Sequence, residues 1–159
     1  MKINLTICGV HEFSQQEGKR WTHVVSIWEK DMQGDPSCRD QIMNVAPCAD
    51  HLFSFFADTE MPDHPNAPRL QDVKRILAFT QLLPERAKVL VHCRAGVSRS
   101  TAIAYAILCQ HSKPGLEMDN LLHVQSLREW ATPNRLIIQL ADKILKRKGG
   151  MLLHLRREL

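Results

Sequence analysis

The chain opens on an alternation. In "INLTIC", Ile3, Leu5 and Ile7 fall on one side of an extended backbone, and "THVVSIW", Thr22 to Trp28, is a denser β-branched run of the kind found where both faces of a sheet are covered. Both stretches predict strands. From Glu29 to Ala49 the periodicity fades, and Gly34, Asp35, Pro36 and Pro47 punctuate what reads as a loop with a short strand at "QIMNV". "HLFSFFA", His51 to Ala57, restores the strand pattern. "DTEMPDHPNAP" then sets Pro62, Pro65 and Pro68 into a shaped loop.

Leu70, Val73, Ile76, Leu77 and Leu83 recur on one helical face until Pro84, and "KVLV" gives the next strand. "TAIAYAILCQH" is apolar on nearly every side, as a helix enclosed by the domain would be, and "KPG" ends it. An amphipathic helix is expected from about Glu117 to Trp130. Another opens at "TPN", with Thr132 as N-cap and Pro133 at the first helical position. It buries Leu136, Ile137, Leu140, Ile144 and Leu145, and ends at Gly149. This order of elements predicts a single α/β domain with a mostly parallel central sheet of about four to five strands and helices on both faces. In such sheets ligands bind beyond the carboxyl ends of the strands.

Composition narrows the class without naming it. With 159 residues, 44% hydrophobic and 24% charged, the chain has room for one sizeable core. Residues 1–148 are expected to form the catalytic domain and 149–159 a C-terminal basic tail, since "KILKRKGG" and then Arg156 and Arg157 carry the clearest basic run. The apolar residues of "MLLHLRREL" leave three options open: packing back, pairing with a partner, or remaining mobile. A solvated tail accounts for that charge without nucleic acid, and the net charge of +4 mildly favours anionic substrates. No run of about 18 apolar residues predicts a membrane span. The apolar part of "MKINLTICGV" is too short for a secretory leader, so a cytoplasmic protein with reduced thiols is expected. The oligomeric state is left open. The eight histidines and five cysteines show no metal-ligand pairing, so neither a metal nor another cofactor is expected.

The chemistry gathers at "VLVHCRAGVSRS", where a predicted strand runs through a short loop straight into the enclosed helix. Successive backbone N–H groups and the helix N-terminus make such a loop an anion site, so Arg94, Ala95, Gly96, Val97, Ser98 and Arg99 are the candidate phosphate-binding residues. Gly96 lets the loop bend. Arg99 adds a planar fork that grips two phosphate oxygens together, which lysine does not. The same field favours a thiolate at Cys93, drawing its pKa from about 8.5 toward roughly 3.5 to 7.5. A nucleophilic thiolate beside a bound phosphoryl group points to a covalent phosphocysteine. His92 reads as ordering the loop through backbone hydrogen bonds, and Arg94 as a solvated or substrate-facing charge. Cys8, Cys38, Cys48 and Cys109 read as small core residues.

"HCRAGVSRS" resembles the active-site signature of the cysteine-dependent protein tyrosine phosphatase superfamily: His-Cys, five residues, Arg, then Ser or Thr. The similarity extends along most of the chain to its small dual-specificity branch, through "FFADTEMP" upstream and "ATPNRLIIQLADKIL" downstream. The resemblance implies that Asp58 is the general acid, with Asp63 in the same loop as the alternative, and that Ser100 donates a hydrogen bond to the departing Cys93 sulfur. It implies hydrolysis of phosphotyrosine in proteins, with phosphoserine and phosphothreonine as further substrates and no metal requirement. Two other readings stay open. One is a phosphatase for phosphoinositides or other small phosphate esters, and the other is a phosphate-binding module without turnover.

Overall fold

A computed structural model describes residues 3–155. Four strands, β1 (Asn4–Gly9), β2 (His23–Trp28), β3 (Asp50–Phe55) and β4 (Lys88–Cys93), form one sheet in the order β1-β4-β2-β3. Every pairing is parallel: Gly9 lies opposite Cys93, Ser26 opposite His92, and Trp28 opposite Phe55. The β-branched runs are buried on both faces, as parallel strands between helical layers require. Val89, Val91 and Cys93 join one core with Leu5 and Ile7 of β1, whereas Leu90 joins the opposite core with Cys8 and Val24.

Helix α1 (Phe13–Gln16) and helix α2 (Pro36–Val45) cover the second core through Phe13, Cys38, Ile42 and Val45. The first core is covered by α3 (Leu70–Phe79), α4 (Arg99–Gln110), α5 (Glu117–Leu127) and α6 (Arg135–Leu145). Ile103, Ala104, Tyr105, Ala106 and Ile107 of α4 are all fully buried. Truncating Ile107 there would cost about 2–5 kcal/mol. The enclosed helix therefore fixes where the loop before it must sit.

Several boundaries differ from those the pattern predicts. The expected loop between Glu29 and Ala49 contains a short 3-10 turn, Lys30–Met32, and the helix α2, so "QIMNV" is helical and not a strand. Asp35 caps α2 by accepting from the Ser37 amide, and Pro36 occupies its first position. Helix α3 stops at Phe79, well before Pro84. Helix α5 stops at Leu127, and Asn134, not Thr132, caps α6 by accepting from the Ile137 amide. Helix α6 ends at Leu145, with Lys146 in the left-handed conformation.

The part of the expected tail within the described residues packs on the domain. Met151 is fully buried, its amide donates to Asp142 and its carbonyl accepts from Tyr105. Arg147 forms a buried ion pair with Glu117 at 3.0 Å. Arg156 and Arg157 lie outside the described residues. Among the described residues no helix is long and apolar enough to cross a membrane.

Candidate active site

The site begins where β4 ends. His92 is completely buried between the rings of Phe13 and Trp28, with centroids 4.7 and 5.0 Å away. Its Nδ1 faces the Cys93 carbonyl at 3.3 Å, which can only accept. Nε2 meets the Ser26 hydroxyl, whose oxygen takes the Trp28 indole N–H at 2.7 Å. Burial pushes the His92 pKa down to about 3, so the ring is neutral: Nδ1–H donates to Cys93 and Nε2 accepts from Ser26. His92 thus orders the loop by bonding its first carbonyl, as the sequence suggests.

Each following carbonyl is also drawn outward. The Arg94 carbonyl accepts from the Val10 amide at 3.0 Å. Those of Ala95 and Gly96 accept from the Arg128 guanidinium at 3.1 and 2.9 Å. The Val97 carbonyl accepts from the Thr132 amide at 2.9 Å, and that of Ser98 from the Asn134 amide at 3.1 Å. A peptide N–H points opposite to its carbonyl, so the outward carbonyls leave the amides of 95–99 facing the other side. One of them, the Gly96 amide, donates to Cys93 Sγ at 3.3 Å. Gly96 has φ +73°, and a Cβ there would stand 2.6 Å from the backbone of Cys8 and Gly9. Only glycine permits that approach.

Within this cradle Cys93 is 2% exposed, and its sulfur lies 3.1 Å from the Ser100 hydroxyl. Arg99, the first residue of α4, is 3% exposed. Its Nη1 donates to the Phe56 carbonyl at 2.9 Å and its Nη2 to Glu29 Oε1 at 2.5 Å. The buried Nε has no partner among the described residues. The guanidinium plane is therefore held by two of its five N–H groups, while Nε–H and the second N–H on each Nη remain to donate. Glu29, directly after β2, is a site residue that sequence reasoning missed; only the pairing of β2 with β4 brings it to Arg99.

Asp58 follows β3 and is joined to the same loop. Its Oδ1 accepts from the Ser98 hydroxyl at 2.8 Å and from the Asn134 amide group at 2.9 Å. Asn134, 1% exposed, also donates to the Thr59 carbonyl at 3.1 Å. With both donors on Oδ1, Oδ2 is the oxygen left to carry or take a proton. Asp63 sits in an exposed turn, and no hydrogen bond joins it to residues 93–100 among the described residues.

All five cysteines are free thiols. Burial, then the Glu12 charge, pushes Cys8 up to about 12, and burial pushes Cys109 up to about 11. Cys38 is buried too, whereas Cys48 is exposed, contrary to its reading as a core residue. Among the described residues no group of three or more His, Cys, Asp or Glu side chains is placed to hold a metal ion.

A doubly covered parallel sheet, a thiol in an amide cradle, a gripped arginine and a nearby carboxylate define a class that handles phosphate esters through sulfur. The family model of the dual specificity phosphatase catalytic domain matches residues 14–144, and the chain belongs to this family. It is a cysteine-dependent protein phosphatase. Human DUSP28 is similar in structure, with TM-score 0.66 and 20% identity over 90% of this chain and 88% of that one. DUSP15 gives TM-score 0.61 and 19% identity over 99% and 97%. The human tyrosine phosphatase-like serine/threonine/tyrosine-interacting protein gives 0.60 and 19% over 89% and 90%. At these identities the likeness is one of fold. No curated protein matches the chain by sequence.

Proposed function

We propose that the chain hydrolyses phosphotyrosine in proteins, and phosphoserine and phosphothreonine as further substrates, with Cys93 as nucleophile. The amides of residues 94–99 and the Arg99 N–H groups hold the three non-bridging oxygens. The Cys93 thiolate forms a bond to phosphorus as the bond to the ester oxygen breaks, and Asp58 gives that oxygen its proton from Oδ2. Asp58 then takes a proton from the water that attacks phosphocysteine. The sulfur leaves as thiolate, stabilised by the Ser100 hydroxyl, and inorganic phosphate departs.

The observation that carries this reading is the convergence on one loop: Ser100 and the Gly96 amide on the sulfur, an unpartnered Arg99 Nε, and Asp58 tied to Ser98. Arg94 is the only base added within the loop, which favours protein over phosphoinositide substrates. Reduced thiols fit a cytoplasmic setting.

A substrate panel in the presence of chelator tests it. Phosphotyrosine peptides should be turned over, phosphoserine and phosphothreonine peptides more slowly, and phosphoinositides least. Preferential turnover of phosphoinositides would replace the substrate assignment, and binding of phosphopeptides without turnover would replace catalysis with recognition.

A further inference from the structure

We infer that Arg128, oriented by Glu12, is a positioning residue that keeps the phosphate-binding loop's amides aimed at the phosphate. This rests on the loop assignment above. The Arg128 amide caps the end of α5 on the Val124 carbonyl, and its side chain then reaches back under the loop. Nε donates to the Gly96 carbonyl at 2.9 Å and Nη2 to the Ala95 carbonyl at 3.1 Å. Nη1 donates to Glu12 Oε2 at 2.8 Å, and Nη2 lies 2.7 Å from Glu12 Oε1. Glu12 Oε1 also accepts from the Gly9 amide at 2.9 Å, at the end of β1. One planar fork thus joins three separate segments of chain.

The two carbonyls it grips flank Gly96 on both sides. Gly96 has no Cβ to limit its backbone, so the peptide units on either side are the easiest in the loop to rotate. Were the Ala95 carbonyl to turn inward, the Gly96 N–H would leave Cys93 Sγ. Were the Gly96 carbonyl to turn inward, the Val97 N–H would leave the phosphate and a carbonyl oxygen would face it. Only a planar fork spans both carbonyls together; an ammonium does not. Hydrogen bonding from Arg128 holds Glu12 below the usual carboxylate range despite burial, so the pair stays charged at neutral pH.

Arg147 supplies an internal comparison. It too pairs with a glutamate, Glu117, in a more buried setting than Arg128 and Glu12, and bonds two backbone carbonyls, those of Cys109 and Ser112, away from the phosphate loop. Loss of either arginine removes an ion pair and two bonds to backbone carbonyls, and only Arg128 bears on phosphate.

The test compares Arg128→Met, Arg128→Lys, Glu12→Gln and Arg147→Met, each in the whole chain, with the wild type. Three readouts are needed: melting temperature, the dissociation constant for inorganic phosphate, and kcat and KM for an aryl phosphate. Arg128→Met and Arg128→Lys should weaken phosphate binding and lower kcat each by about tenfold or more, of the order seen when oriented donors are lost. Glu12→Gln should move both in the same direction by about threefold, and Arg147→Met should lower the melting temperature with phosphate affinity unchanged. Wild-type phosphate affinity and kcat/KM in a folded Arg128→Met protein would overturn the inference. So would equal losses in Arg147→Met at the same melting temperature. Should the Arg128 variants fail to fold, unchanged phosphate affinity in Glu12→Gln overturns it. A wild type that neither binds phosphate nor turns over the aryl ester would remove the phosphatase reading and this inference together, whereas an active wild type with indifferent variants removes the inference alone.

Discussion

Acidification should unfold this domain through His92 before it does so through carboxylates. The ring is completely buried and neutral, and both nitrogens are engaged in a neutral pattern with Cys93 and Ser26. Charging it is opposed first by burial and also by the Arg99 charge, which together bring its pKa from the ordinary 6.5 to about 3. Between those values the unfolded chain binds a proton that the folded chain refuses. Stability is therefore fully present above pH 6.5 and is lost as pH falls toward 3. At 1.36 kcal/mol per pH step the whole interval is worth about 5 kcal/mol, of which about 2 kcal/mol is gone by pH 5. Against a domain stability of about 5–15 kcal/mol that loss is large. The depressed carboxylates Glu12 and Glu117, ordinarily at 4.5, lose their contribution only as pH falls through that value and below, so the interval from 6.5 to 5 isolates the histidine. Urea unfolding at pH 7, 6 and 5 should show the wild type losing about 2 kcal/mol and His92→Gln, less stable at pH 7, losing much less. Equal slopes in the two proteins would show that His92 is not the group being charged.

Asp58→Asn should slow turnover by about 100-fold or more, most for poor leaving groups, while Asp63→Asn stays within about twofold in the same steady-state assay. Asn134→Ala removes both the α6 cap and a donor to Asp58, so it should cost about 1 kcal/mol of stability and depress turnover of alkyl phosphates more than of activated aryl phosphates. Glu29→Gln loosens the Arg99 guanidinium and should raise the phosphate dissociation constant by about tenfold, measured by titration calorimetry, with little change in leaving-group dependence.

The strands and the nucleophile loop were legible because their signals are local. β-branched runs declare buried parallel strands, and a strand, a tight glycine and an enclosed helix adjoin in twelve consecutive residues, Val89 to Ser100. Helix α2 was missed although Asp35 and Pro36 form a good start and Cys38, Ile42 and Val45 share a face. Most of its other positions are polar, and two prolines near its ends drew the pattern toward a loop. The α6 cap was displaced by two residues because Thr132 and Asn134 are both competent caps, and the Thr132 hydroxyl instead donates to the Trp130 carbonyl. Glu29, Glu12 and Arg128 carry no motif of their own. Each becomes part of the site through a contact with a distant segment, Glu29 with Arg99, and Arg128 with Glu12 and the loop. Such partners are set by sheet order and helix packing, which a single sequence does not spell out.

In the proposed reaction the phosphoryl group passes through the sulfur of Cys93. Rapid acid quench of the protein during turnover of a labelled aryl phosphate, followed by peptide mapping, reads this directly. Label should appear on the peptide containing Cys93, accumulate further in Asp58→Asn when the leaving group is activated, and be absent from an inactive Cys93→Ser protein. Sustained turnover in Cys93→Ser, or label on any other side chain, would contradict transfer through Cys93.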